Sequence, residues 1–141
     1  MKKILIPIEK NSEEKSTIDE AVKIAEKFDS TITLFNVDNS KELLRDIDSG
    51  GFIDEDKLYE KFKDTTFLDE VKMMYRNKGI TTETKVSEGD PASAILDEAE
   101  KGDYDLVIMK THTMKERKRF MLGSVTNKVV HHINVPIMII R

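Results

Sequence analysis

The stretch DLVIMKTHTMKERKRFMLGSVTNKVVHHINVPIMIIR (residues 105–141) carries the alternation that decides the fold. DLVIM (105–109) is a short, almost uninterrupted apolar run, the pattern of a strand buried on both faces. A polar, basic stretch follows at 110–121. Val125, Val129 and Ile133 then recur at helical spacing and predict a helix over 123–133. PIMII (136–140) is a second buried run. Strand, loop, helix, strand is the repeating unit of a parallel sheet, whose neighbouring strands need a crossover between them. Taken alone, Gly123-Ser124 reads as an ordinary helix start with Ser124 as N-cap. Such a start also presents unpaired backbone N–H groups, a natural place to hold an anion.

The same alternation runs back to the beginning of the chain. KKILIPI (2–8) reads as a buried strand. Ile18, Ala21, Val22, Ala25 and Phe28 predict a helix over 12–28, with Asn11 and Glu14 spaced as a capping box. TITLFNV (31–37) is a second strand, and 38–54 an irregular surface insertion with room for a short helix at 40–47. Leu58, Phe62, Phe67, Val71, Met74 and Tyr75 mark a helix over 55–78, bent near Thr65-Thr66 and closed by Gly79. ITTETKV (80–86) alternates only weakly, as an edge strand does. Asp90-Pro91 opens a third helix that buries Ala92, Ile95, Leu96 and Ala99 and stops at Gly102. Met73, Met74 and Met109 read as core filler, and Asp103 and Asp105 as turn chemistry.

The expected fold class is therefore α/β: a single domain, 1–141, built as an open doubly wound five-stranded parallel sheet with right-handed crossovers. Ligands of such sheets bind beyond the C-terminal strand ends, where the strand order reverses. With strand order 3-2-1-4-5 that point faces residues 8–12 and 110–124. The pattern alone also allows 2-1-3-4-5.

Composition narrows the function. At 141 residues the chain should bury roughly 70% of its unfolded surface. A net charge of −4 argues against general polyanion binding. The basic run Lys115, Arg117, Lys118, Arg119 lacks interleaved aromatic platforms, so no nucleic-acid partner is expected. The absence of Cys excludes disulfides, thiolate zinc sites and a Cys nucleophile, and fits a cytoplasmic protein. No apolar run approaches the ~18–20 residues that span a bilayer, so no membrane partner is expected. In MKKILIPIEK, Glu9 interrupts a run already too short for a leader. His131 and His132 are adjacent and point in different directions on a helix, so no metal site is expected. No GxSxG, GxxxxGK[ST] or HExxH motif occurs, and no catalytic residue is assigned. A receiver domain would need paired acids where the chain has EKNS (9–12).

Three stretches, KKILIPIEKNSEEKSTIDEAVKIAEKF (2–28), EGDPASAILDEAEKGDYDLVIMKTH (88–112) and GSVTNKVVHHINVPIMIIR (123–141), carry a resemblance to the universal stress protein family. The resemblance implies the adenine-nucleotide alpha-hydrolase-like arrangement with strand order 3-2-1-4-5, and a homodimer through the C-terminal strand. In the family's ATP-binding branch it implies a loop of glycine, two residues, glycine, nine residues, then glycine with Ser or Thr. The spacing survives here, with Lys110 and Thr113 at the first two glycine positions and Gly123, Ser124 and Val125 at the end. Glu9, two residues after Pro7, stands where the family has its adenine-side aspartate, and Val37 matches a position lining the adenine pocket. The implied nucleotide-binding residues are thus Pro7, Glu9, Val37, Lys110, Thr113, Gly123, Ser124 and Val125, and the implied ligand is ATP with Mg²⁺.

Holding a non-glycine residue in a left-handed conformation costs about 1–2 kcal/mol. Micromolar binding is worth about 8 kcal/mol. Backbone strain at Lys110 and Thr113 would therefore weaken such a site without abolishing it, and side-chain bulk is the larger obstacle. The expected function is a dimeric stress-response module regulated by ATP or a related nucleotide. The alternatives are a nucleotide-free interaction or scaffold module of the same fold, and a slow ATPase or self-phosphorylating protein.

Overall fold

The computed structural model describes residues 1–10, 14–40, 65–111 and 122–141. Its elements are β1 (Lys3–Pro7), α1 (Lys15–Phe28), β2 (Thr31–Asp38), α2 (Thr66–Asn77), β3 (Thr82–Glu88), α3 (Pro91–Lys101), β4 (Leu106–Lys110), α4 (Ser124–His132) and β5 (Ile137–Ile140). All strand pairs are parallel and the order is β3-β2-β1-β4-β5. This selects 3-2-1-4-5 over 2-1-3-4-5, and puts the weakly alternating third strand at an edge, as expected. Positions 41–64 of the expected insertion and second helix lie outside the described residues, as do Asn11, Thr113 and the basic run.

β1 is central because its side chains leave no other option. Ile4, Leu5 and Ile6 are at most 1% exposed. Ile4 and Ile6 pack with Ile18 and Ala21 of α1 and Val71 and Tyr75 of α2. Leu5 packs with Ala92 and Ile95 of α3 and Val129 of α4. Burying each such side chain is worth about 1.5–3 kcal/mol, so a strand apolar on both faces recruits helices on both.

The helix ends follow local chemistry. Asp90 caps α3 by accepting hydrogen bonds from Ser93 N–H (3.0 Å) and Ser93 Oγ (2.8 Å). α2 ends in a Schellman motif: Gly79 N–H donates to Arg76 O (2.9 Å) and Ile80 N–H to Tyr75 O (3.2 Å). That motif needs a left-handed residue, and Gly79 supplies it with φ +82°.

Three expectations are corrected. α1 opens at Lys15 with Glu14 at its N-cap, so Glu14 does not sit three residues inside the helix as a capping box requires. The N-cap of α4 is Gly123, in an extended conformation, and Ser124 is already helical. Met73 and Met74 are 53% and 50% exposed rather than core, because Leu68, Val71 and Tyr75 fill the buried stripe of α2. Met109 is buried as expected.

Asp105 does more than shape a turn. Its Oδ2 accepts from the backbone N–H of Lys2 (2.8 Å) and of Lys3 (3.0 Å), and its own N–H donates to Lys3 O (2.8 Å). The start of β1 is thereby fastened to the start of β4. Hydrogen bonds from Lys3 and Lys2 hold the Asp105 carboxyl below the usual carboxylate range. A carboxyl with a lowered folded pKa stabilises above its unfolded pKa, near 3.9, and loses that contribution as pH falls through the folded value. Asp105→Ala is accordingly expected to lower the thermal midpoint by a few degrees at pH 7. The gap to wild type should close as both are titrated into acid; a gap independent of pH would contradict the clamp.

Candidate functional site

The connection after β1 leads to α1 on one face of the sheet, and the connection after β4 leads to α4 on the other. Because these strands are neighbours, their C-terminal ends flank the switch point at which open α/β sheets bind ligands. The ladders sharpen its position. β1 pairs with β2 through five positions, ending at Pro7↔Phe35. With β4 it pairs only at Ile4↔Leu106 and Leu5↔Val107. The C-terminal end of β1 is therefore held from the β2 side.

Two side-chain bonds finish the strand ends that flank the switch point. On β1, Ile8 N–H donates to Phe35 O (2.8 Å), and Ile8 O accepts from Asn36 Nδ2 (3.0 Å). Asn36 is only 9% exposed, so its amide is committed to this bond in a nearly dry setting. On β4, Lys110 O accepts from Thr126 Oγ1 (3.4 Å), which draws the first turn of α4 onto the strand end. Thr111 N–H donates to Ile140 O (2.9 Å) and continues the β4–β5 ladder past Lys110. The first intrahelical bond of α4 runs from Asn127 N–H to Gly123 O (2.8 Å). The N–H groups of Ser124, Val125 and Thr126 precede it, and helix geometry gives them no acceptor within the helix.

The candidate residues distribute as follows. Val37 and Val125 pack into the cluster on the α3–α4 side, with Phe35 and Met109. Pro7 lies opposite Phe35 in register, hence on the same side. Glu9 is exposed immediately beyond β1, Gly123 is buried and Ser124 exposed. Lys110 lies opposite Ile140 in register and alternates with Met109, which directs its half-buried side chain to the α1 side with Ile108 and Ile140. The lysine thus stems from the face opposite the one that carries Val37 and Val125. Seven of the eight candidates, Pro7, Glu9, Val37, Lys110, Gly123, Ser124 and Val125, come to one end of the sheet; Thr113 lies outside the described residues. Asn36 and Thr126 were given no role from sequence. The signal was there for Asn36, a lone amide in the otherwise apolar end of TITLFNV, but its partner was not.

Nearby, hydrogen bonds from Ser93 hold the Asp90 carboxyl below its ordinary range, and Lys128 of α4 approaches the same carboxylate at 3.6 Å. A separate cleft between β3 and α3, of about 230 Å³, is lined by Ser87, Glu88, Asp97 and Lys101 among others, and by none of the candidate residues. Among the described residues no group of three or more His, Asp or Glu could hold a metal ion. No described helix is long and apolar enough to cross a membrane.

Comparison with known sequences identifies the family. A sequence model of the universal stress protein family matches residues 1–141. The chain belongs to the universal stress protein family. One curated relative, a universal stress protein of Methanocaldococcus jannaschii, is 28% identical over 141 residues, covering 99% of this chain and 82% of the relative. Among solved structures, the universal stress protein UspA from Lactobacillus plantarum superposes with a TM-score of 0.74 at 21% identity, over 99% of this chain and 97% of that one. The universal stress protein from Archaeoglobus fulgidus in complex with dAMP gives 0.69 at 19% identity, over 100% and 98%. These structural likenesses establish the shared universal stress protein fold.

Proposed function

We propose that this universal stress protein is a cytoplasmic regulatory module that binds an adenine nucleotide, ATP or a close relative, at the C-terminal ends of β1 and β4. The observation that carries this reading is the anchored start of α4. Thr126 fixes its first turn against the end of β4, and the N–H groups of Ser124 and Val125 open the helix where phosphates would lie. A helix N-terminus carries about half a positive charge, so a phosphate there gains both hydrogen bonds and a favourable dipole.

Pro7 and Val37 would supply apolar walls to the nucleoside, and Glu9 a carboxylate acceptor for its hydroxyl or amino groups. Lys110 fits the ligand better than its place in a glycine position implies. Strand alternation starts its side chain on the α1 side, and a lysine can reach round to a phosphate as a point charge. With no acidic cluster among the described residues, Mg²⁺ would arrive on the phosphates rather than in a cage of protein ligands. The relative solved with dAMP supports the reading, since it shares this fold. Lys110 in place of glycine is also what favours the second reading, a nucleotide-free interaction module.

Homodimerisation through β5 belongs to the same proposal. β5 is an edge strand, with Met138 37% exposed and Ile137 and Ile139 half-buried. An apolar edge of this kind pairs readily with a copy of itself about a two-fold axis. Light scattering should give twice the 16.2 kDa of one chain, and a monomer mass at every concentration would contradict it.

Calorimetric titration tests the ligand. ATP with Mg²⁺ and dAMP should each give saturable heat, with Kd between about micromolar and sub-millimolar, and Lys110→Gly, which removes the point charge, should weaken ATP binding. No heat and no thermal shift at millimolar nucleotide would leave the nucleotide-free module as the function.

A further inference from the structure

We propose that Asn36 is the positioning residue for the nucleoside half of the site, through its grip on the peptide plane between Ile8 and Glu9. The inference rests on the nucleotide reading above. It starts from the asymmetry of the ladders around β1. Beyond Leu5 the strand has no register partner in β4, so β2 alone sets the path by which the chain reaches Glu9. Pro7 has no N–H, which leaves Ile8 N–H to Phe35 O as the last backbone bond before Glu9.

Asn36 adds one bond past that point. Its Nδ2 donates to Ile8 O at 3.0 Å, and the residue is 9% exposed, so water competes little for either group. The Ile8 carbonyl and the Glu9 N–H belong to one planar, trans peptide unit, and no cis peptide bond occurs among the described residues. In a trans unit the two groups point in opposite directions. Turning Ile8 O toward β2 therefore turns Glu9 N–H toward β4, across the switch point, and fixes the direction in which the Glu9 side chain leaves the backbone. Asn36 thus sets a backbone donor and a carboxylate arm together, from a nearly dry position beside the strand end.

The test uses the full chain with adenosine and dAMP as probes. Asn36→Val is well tolerated in a strand and removes the donor. Asn36→His restores one, since imidazole Nδ1 is as many bonds from the backbone as the amide nitrogen. Titration should show Asn36→Val weakening both probes by about tenfold, and Asn36→His recovering most of that loss. Amide exchange of Ile8, whose N–H donates to Phe35 O beside the lost bond, should rise in the valine variant and return toward wild type in the histidine one. A merely structural role would let histidine, the bulkier side chain, perform no better than valine. If Asn36→Val fails to fold, Asn36→Ala takes its place in the same comparison. Wild-type affinity in the donor-less variant would overturn the role of Asn36 and leave the nucleotide reading standing. If the wild-type chain binds neither probe, the nucleotide reading fails and this proposal falls with it.

Discussion

The burial of β1 on both of its faces is the constraint on which the remaining architecture depends. Ile4 and Ile6 face one way and Leu5 the other, and none is open to solvent. A strand in that position needs a neighbour on each edge and helices above and below. β2 and β4 provide the edges, α1 and α2 cover one face, and α3 and α4 the other. Right-handed crossovers then send the connections after β1 and β4 to opposite faces. The switch point between those two strand ends is a consequence of burying three aliphatic side chains, before any ligand is considered.

What distinguishes this switch point is how its rims are held. At one end of the sheet Asp105 fastens the start of β4 to the start of β1 through two backbone N–H groups. At the other end the two strands have no shared ladder, and each is secured from its outer side. Asn36 holds the β1 rim and Thr126 the β4 rim, each by bonding a carbonyl at the end of its strand. The arrangement secures each strand end from its outer side.

Much of this was legible in the chain because it depends on local pattern. Strand and helix periodicity, the Asp90-Pro91 start and the left-handed Gly79 are all decided within a few residues. The strand order was not, since 3-2-1-4-5 and 2-1-3-4-5 bury the same side chains; the resemblance to the universal stress proteins supplied what the pattern lacked. Met74 shows the limit at the next level down. It is adjacent to Tyr75, about 100° round the helix, and only packing determines which of the two faces the core. Asp105 and Asn36 are harder again. Their partners lie 103 and 28 residues away, so a turn residue and a stray amide were all that the sequence displayed. The same limit applied to Lys110, whose threat to phosphate binding depends on which face of β4 it occupies. Alternation against Ile140 settles that face, and it is not the face of Val37 and Val125.

The central claim is that an adenine nucleotide sits between the ends of β1 and β4, with its phosphates on the start of α4. Amide chemical-shift mapping during titration of the isotopically labelled chain with dAMP tests it most directly. The account predicts saturable shifts concentrated at Glu9, Val37, Ser124 and Val125, with the β3–α3 cleft at Ser87 and Asp97 unmoved. Shifts confined to that cleft, or none at millimolar dAMP, would contradict it.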